Sequence, residues 1–349
     1  MEYIMGKKLA NISWDMNIIK TLCKINEYKG EQIIYKKQSK NMVSTTTEEA
    51  ITKFVYDTHI DNFMGGEENL IKLINNEITP QSREEIAVVE FRDVIKTVNS
   101  AYEDIKINSQ TILELHGYLH RYSLVRGGRY RNEDINFYNM ERNNLVENIQ
   151  TNSNLNMEEC LEKEVEYICD TYYKLIEEDK IQELIIIAAF IRDFISIWPF
   201  KEDNIKMAKI LTLLLLNKSG YEVGRFTSLG KLYDDSNQSL FRKLISTKDD
   251  FESESNDIKK WVEYFLSFVE KSYEDLSDEM NLAVNKKETK TRRIEKIINS
   301  TLGYFTKDDI RNQCPDIPEP TINRVFNNLR KSGKIEVVAK GRSAKWKKK

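Results

Sequence analysis

The residues with the most evident chemical potential lie in Trp198-Pro199-Phe200-Lys201-Glu202-Asp203-Asn204, a short polar stretch between two strongly apolar runs. Upstream, Lys180 to Ile197 contains Leu184-Ile-Ile-Ile-Ala-Ala-Phe190, too apolar on every face to lie outside a core. Pro199 ends that helix, because proline lacks an N–H and disfavours the α conformation of Trp198 before it. From Asn204 a second apolar helix is expected to Leu216, stopped by Gly220 and followed by Tyr221. It starts at a tight loop whose first backbone N–H groups have no intrahelical acceptor. Such donors, with the partial positive charge of a helix N-terminus, favour phosphate or another anion.

The elements that must position this loop read as mostly helical. Apolar residues at helical spacing predict helices over Trp14 to Asn26, Glu48 to Asn62 and Arg83 to Asp104. Asn108-Ser109 is a sound N-cap for Gln110 to Leu119, where His116 sits among leucines and reads first as a hydrogen-bonded core histidine. After Gly127-Gly128, Tyr130 to Tyr138 alternates apolar and polar residues, the pattern of a short strand or hairpin. Met157 to Glu177 is a further helix. Five prolines and thirteen glycines in 349 residues leave little room for a strand-and-turn architecture, so the expected class is mainly α.

Composition narrows the function classes. Cys23, Cys160, Cys169 and Cys314 form no CxxC pair, and three histidines (His59, His116, His120) offer little to complete a metal site, which argues against structural zinc and disulfides. The longest apolar runs fall far short of the roughly 20 residues that span a bilayer, and no signal pattern opens the sequence, so a cytoplasmic protein without a membrane partner is expected. Charge is uneven. Residues 286–349 hold 18 basic and 7 acidic side chains, net +11, whereas the preceding 285 hold 35 basic and 49 acidic, net −14. A basic tail on an acidic body predicts two modules with different partners, the basic one suited to a polyanion.

Trp198 to Lys209 resembles the HPFx(D/E)GNGRxxR loop of Fic (Fido-domain) proteins without a gap. Pro199, Phe200, Glu202 and Asn204 match it, Trp198 stands at the histidine, Asp203 and Ile205 at two glycines, and Lys206 and Lys209 at two arginines. Leu115-His116, Gly128-Arg-Tyr-Arg131 with Ile135, Gly220-Tyr221, Ser228-Leu229, Phe241 with Leu244, and Trp261 to Leu266 extend the similarity over roughly residues 10 to 275. The resemblance implies a Fic-type helical core with a small β-hairpin flap, binding ATP and magnesium and transferring AMP to a protein hydroxyl. Asn204, Lys206 and Lys209 would then bind nucleotide, Glu202 would hold magnesium, and Tyr130, Arg131 and Ile135 would clamp the target protein at the flap. Ser44-Thr-Thr-Thr-Glu48 is similar to the family's inhibitory motif, which implies a pairing of Glu48 with Lys209. The alternative is an ordinary N-cap at Ser44 with acidic first-turn residues.

The departures from that pattern matter chemically. Indole only donates a hydrogen bond and does not titrate near neutral pH, so Trp198 at the catalytic position cannot act as the general base. Asp203 adds negative charge beside the expected anion, β-branched Ile205 adds bulk, and the lysines keep charge but lose the bidentate guanidinium fork. The expectation is a Fic-fold regulator or scaffold without AMP transfer. The alternative is a nucleotide-dependent enzyme modifying a protein hydroxyl by AMP transfer or altered chemistry.

Beyond a charged linker, Arg292 to Ser300, Lys307 to Gln313 and Thr321 to Ser332 predict three helices, with Pro318 and Pro320 in the turn before the third, followed by strands at Lys334 to Val338 and Ser343 to Trp346. This is the order of a winged helix-turn-helix, which many Fic proteins carry. The third helix offers Asn323, Arg324, Asn327, Asn328 and Arg330, and the wing offers Lys345, types that contact DNA phosphates and base edges. A protein-docking role is the competing reading. The domains are therefore expected as 1–110, a helical region carrying the inhibitory helix; 111–275, the core; 276–289, a linker; and 290–349, the winged helix. The sequence does not speak to oligomeric state.

Overall fold

The computed structural model describes residues 3–6, 9–38, 40–122, 126–132, 157–232, 251–285, 290–300, 304–339 and 344–348. Among them are twelve α-helices and one two-stranded sheet, divided into two compact units, Met1–Ser277 and Asp278–Lys349. Among the described residues no helix is long and apolar enough to cross a membrane.

The first unit holds α1 (Met16–Gln38), α2 (Lys40–His59), α3 (Glu67–Ile74), α4 (Arg83–Ala101), α5 (Ser109–Tyr118), α6 (Met157–Glu178), α7 (Glu183–Ile197), α8 (Asn204–Lys218) and most of α9 (Phe251–Asn285). The two apolar runs are its centre. Nearly all of α7 and most of α8 are buried, and α7 packs between α6 and α8 while α8 also packs on α4. The short 3-10 turn Glu222–Arg225 follows Gly220, whose φ of 75° supplies the expected left-handed stop. α9 is tied to the core at a polar point: Trp261 Nε1 donates to the Ala188 carbonyl over 2.7 Å, in the middle of α7.

Local signals account for several helix ends. Ser82 and Glu85 form a reciprocal capping box on α4, and Asn108 Oδ1 accepts the Thr111 N–H at 2.8 Å to cap α5. At the start of the chain, Asp193 of α7 is fully buried and accepts the Ile4 and Met5 N–H groups at 3.2 and 3.0 Å. This carboxylate fastens the N-terminal segment beside the helix that leads into the loop.

Several expectations need correction. Ser44 is not an N-cap, because α2 already runs from Lys40 and carries Ser44 within it. The segment 276–289, expected as a linker, continues α9 as helix through Asn285, and the division between the units falls inside that helix. Of the expected strand from Tyr130 to Tyr138, residues 130–132 are not in a strand, and Ile135 with the rest of the flap lies outside the described residues, as do Phe241 and Leu244.

The second unit holds α10 (Lys290–Ser300), α11 (Lys307–Gln313), α12 (Glu319–Lys331), β1 (Ile335–Ala339) and β2 (Lys345–Lys348), the predicted order of elements. Thr306 and Asp309 form a capping box on α11. Pro320 sits inside the first turn of α12 rather than in the turn before it, where its missing N–H costs nothing. β1 and β2 pair antiparallel, Ile335 opposite Lys348 and Val337 opposite Trp346. The core joins Ile294, Ile298, Phe305, Ile310, Val325, Phe326, Leu329, Ile335 and Trp346. Trp346 also bridges to Phe305 through paired backbone hydrogen bonds of 2.8 and 3.0 Å, closing the sheet end onto the segment before α11.

Candidate functional site

The loop between α7 and α8 is held from inside. Trp198 caps α7 in the left-handed conformation (φ 48°, ψ 62°), its N–H still bonded to the Phe194 carbonyl at 3.1 Å. Arg131 grips the bend twice: its Nε donates to the Trp198 carbonyl at 2.9 Å and its N–H to the Pro199 carbonyl at 2.9 Å. Asn204 closes the loop by accepting the Phe200 N–H at 2.9 Å and donating Nδ2 to the Phe200 carbonyl at 2.7 Å. The Phe200 ring, fully buried, stacks on His116 at 3.8 Å between centroids and 5° between planes, with Tyr130 and Phe194 near it. Tyr130 is fixed in turn by a 2.8 Å hydrogen bond with Ser109.

At the head of α8, Asp203 adopts the left-handed conformation (φ 60°, ψ 21°) that a glycine takes without cost, and its side chain makes no capping bond. Aspartate tolerates this region better than most residues. Its carboxylate lies 3.0 Å from Lys206 Nζ and 3.3 Å from His120 Nε2. Burial works to raise the Asp203 carboxyl, but the charge and hydrogen bond of Lys206, with His120, hold it below the ordinary value, so it is ionised at neutral pH. Burial, then the neighbouring His120, pushes His116 down to about 4. Its Nδ1 accepts the Gly128 N–H at 3.1 Å, which puts the proton of the neutral ring on Nε2. Burial likewise lowers His120 and takes His59 to about 4, with Lys206 the next cause for His59.

No protein-family model matches the chain, and no curated protein matches it. Solved structures do. A Fic family protein from Desulfovibrio desulfuricans G20 superposes with a TM-score of 0.58 at 16% identity, covering 97% of each chain. A Fic domain containing signaling protein from Bacteroides thetaiotaomicron VPI-5482 gives 0.54 at 15% identity over 74% of this chain and 95% of its own. Fic-1 from C. elegans gives 0.56 at 16% identity over 74% and 71%. The chain has the Fic fold. Identities this low establish architecture alone, and what the loop does has to be argued from its own contacts.

Within the Fic fold Lys206 and Lys209 face internal partners. Lys206 meets Asp203 one turn away, and Lys209, 4% exposed, donates to the Gly230 carbonyl. Asn204, 1% exposed, spends both ends of its amide on Phe200. Glu202 is exposed. Among the described residues no cluster of three or more histidine, cysteine or acidic side chains could hold a metal ion. Glu48 is exposed and pairs with Lys96 at 3.6 Å, whereas Lys209 lies buried against Gly230. The implied inhibitory pairing is therefore not the one this arrangement makes. The side chain of Ser44 lies outside the described residues.

His120 and His59 were not singled out from the sequence, yet all three histidines flank the loop. The i, i+4 spacing of His116 and His120 was a legible signal that they share a face, and their rings lie 4.8 Å apart. Nothing local pointed to His59. The loop's dependence on one amide gives a measurable expectation. Asn204→Ala leaves the buried Phe200 N–H and carbonyl without their partner, and the loss should be about 2–3 kcal/mol in urea unfolding. A loss under about 0.5 kcal/mol would show that the loop holds without this brace.

In the second unit, Arg324, Asn327, Asn328, Arg330 and Lys345 are exposed, while Ile322, Val325, Phe326 and Leu329 of the same helix as the arginines are buried. Asn323 is half-buried and accepts from Lys307 Nζ at 2.5 Å. Several other basic groups are engaged: Arg293 with Asp316, Arg311 with Glu319, and Lys347 with Glu336. Among the described residues Arg324, Arg330 and Lys345 make no ion pair.

Proposed function

We propose that this chain is a Fic-fold regulator that has lost AMP transfer and acts on DNA through its C-terminal unit, which we read as a winged helix. The observation that carries the loss is the pairing of Asp203 with Lys206. A triphosphate would meet a carboxylate where it needs cations, because Lys206 is neutralised by a neighbour and Lys209 is committed to a backbone carbonyl. ATP and its magnesium ion therefore do not fit this set of groups, and Glu202 alone is a poor metal site. Trp198 compounds the loss, since an indole cannot take a proton from a target hydroxyl. Loss of a positioned base costs about 10²- to 10⁴-fold. The loss of phosphate-binding cations acts on affinity instead, so the two defects reinforce one another.

The reading predicts no calorimetric binding of Mg-ATP to the wild-type chain or to Trp198→His, and no AMP transfer by either with radiolabelled ATP. Adding Asp203→Gly to Trp198→His should produce measurable Mg-ATP binding, because it removes the opposing carboxylate and restores the residue type of the family loop. Saturable binding or AMP transfer by Trp198→His alone overturns the proposal. DNA binding is supported by the separation of faces on α12, polar and cationic outward and apolar inward, and by the net +11 of residues 286–349.

A further inference from the structure

We propose that the N-terminal arm (residues 3–11) exchanges between two copies of this chain, each arm seating against α6 and α7 of the other copy. The arm is a compact plug. The Leu9 N–H returns to the Ile4 carbonyl at 3.1 Å, Leu9–Asn11 form a short 3-10 turn, and the side chains of Ile4, Met5 and Leu9 are buried. Its seat grips the backbone. Asp193, fully buried in α7, accepts the Ile4 N–H on Oδ1 at 3.2 Å and the Met5 N–H on Oδ2 at 3.0 Å. On α6, the Tyr167 ring lies 5.4 Å from that of Tyr3, and a β-carbon on Gly6 would stand 3.1 Å from Tyr167 Oη. Main-chain recognition on α7 is thus combined with close steric fit on α6.

An empty seat is unfavourable. Among the described residues, Asp193 without the arm keeps Arg192 Nη1 at 3.4 Å, and Arg192 Nε is already buried with no hydrogen-bond partner. A buried carboxylate stripped of two N–H donors is costly, which opposes release of the arm into water. A second arm of the same sequence restores every one of these bonds, so the partner that fits the seat is another copy of the chain. The hinge is also present. Residues 12–15 are neither helix nor strand, and α1 carries its own cap, since Asp15 Oδ1 accepts the Asn17 and Ile18 N–H groups at 2.9 and 3.0 Å. The arm can therefore swing without unwinding α1, and a four-residue joint reaches about 13 Å when extended. Phe194, next to Asp193, accepts the Trp198 N–H and packs near Phe200, so the copy that supplies the arm also steadies the helix end that carries the loop. The inference is independent of what the loop or the second unit binds.

The test mixes two full-length chains that carry different C-terminal affinity tags. They are incubated together at high concentration below the melting transition, then diluted and captured on one tag. The second tag should be co-captured, and the mixed species should elute as a dimer in size exclusion. A synthetic peptide of residues 1–12, in excess during the incubation, should suppress co-capture by filling the seat. The same peptide N-methylated at Ile4 and Met5 keeps every side chain but lacks the two N–H donors. It should need at least about tenfold more to have the same effect, as expected for losing hydrogen bonds to a charged acceptor. The proposal is overturned if the two chains stay monomeric and unmixed, if the 1–12 peptide leaves co-capture unchanged, or if the methylated peptide competes as well as the plain one.

Discussion

Phe200→Ala should destabilise the N-terminal unit by about 3–5 kcal/mol. The ring is fully buried and stacked on His116, with Tyr130 and Phe194 closing round it, so truncation leaves a cavity that the flanking helices α7 and α8 are poorly placed to fill. A domain of this size loses about 2 °C or more of Tm per kcal/mol, which puts the expected shift on the order of 10 °C by near-UV circular dichroism. Phe200→Leu, which keeps most of the volume, should recover most of the loss. A shift of a degree or two for Phe200→Ala would mean that the loop is held by Asn204 and Arg131 alone and that the His116 stack contributes little. The result bears on function because the same ring sets where Asp203 and Lys206 stand. A chain that has given up phosphate chemistry but kept this packing retains the loop as architecture.

The second large effect is expected at the other unit. Arg324→Ala/Arg330→Ala should weaken binding to mixed-sequence duplex DNA by about ten- to a hundredfold near physiological salt, and should flatten the plot of log affinity against log salt by about one for each phosphate that the variant no longer neutralises. Both arginines are exposed on α12, opposite the buried Ile322, Val325, Phe326 and Leu329, so their removal should leave the fold of the unit unchanged. The salt slope carries the decision. Wild-type affinity that scarcely changes with salt, or a double variant with wild-type affinity and slope, would remove DNA as the partner and favour a protein-docking role for α12. Lys345→Ala should give a smaller loss of the same kind, because a single cation on the hairpin neutralises a single phosphate at most.

Much of the architecture was legible in the residues. Apolar runs of helical length set α7 and α8, Pro199 and Gly220 fixed where they end, Asn108 marked the start of α5, and the C-terminal order of three helices and two strands followed from short-range pattern. These features depend on backbone preferences and on periodicity within one segment, both of which a sequence displays directly. The continuation of α9 through Asn285 was harder to see, since charged residues suit an exposed helix as well as a linker. The left-handed Asp203 was legible only by comparison with the glycine that a Fic loop carries there.

The pairings that decide the chemistry were not legible, because they join segments far apart in the chain. Asp203 meets His120 from the end of α5, Lys209 meets the carbonyl of Gly230, Glu48 turns to Lys96, and Asp193 holds the N–H groups of Ile4 and Met5. Which of these partners a side chain finds depends on which helix faces meet and at what depth, and that is set by the packing of the whole core. The sequence determined by itself that a helix–loop–helix would present cations near an anion-binding helix terminus. The Asp203–Lys206 pair, three residues apart, is local, but only the tertiary structure decided that Lys209 would be buried against the Gly230 carbonyl and that Asp203 would stand beside His120, because burial leaves a charged group stable only where the fold supplies its partner.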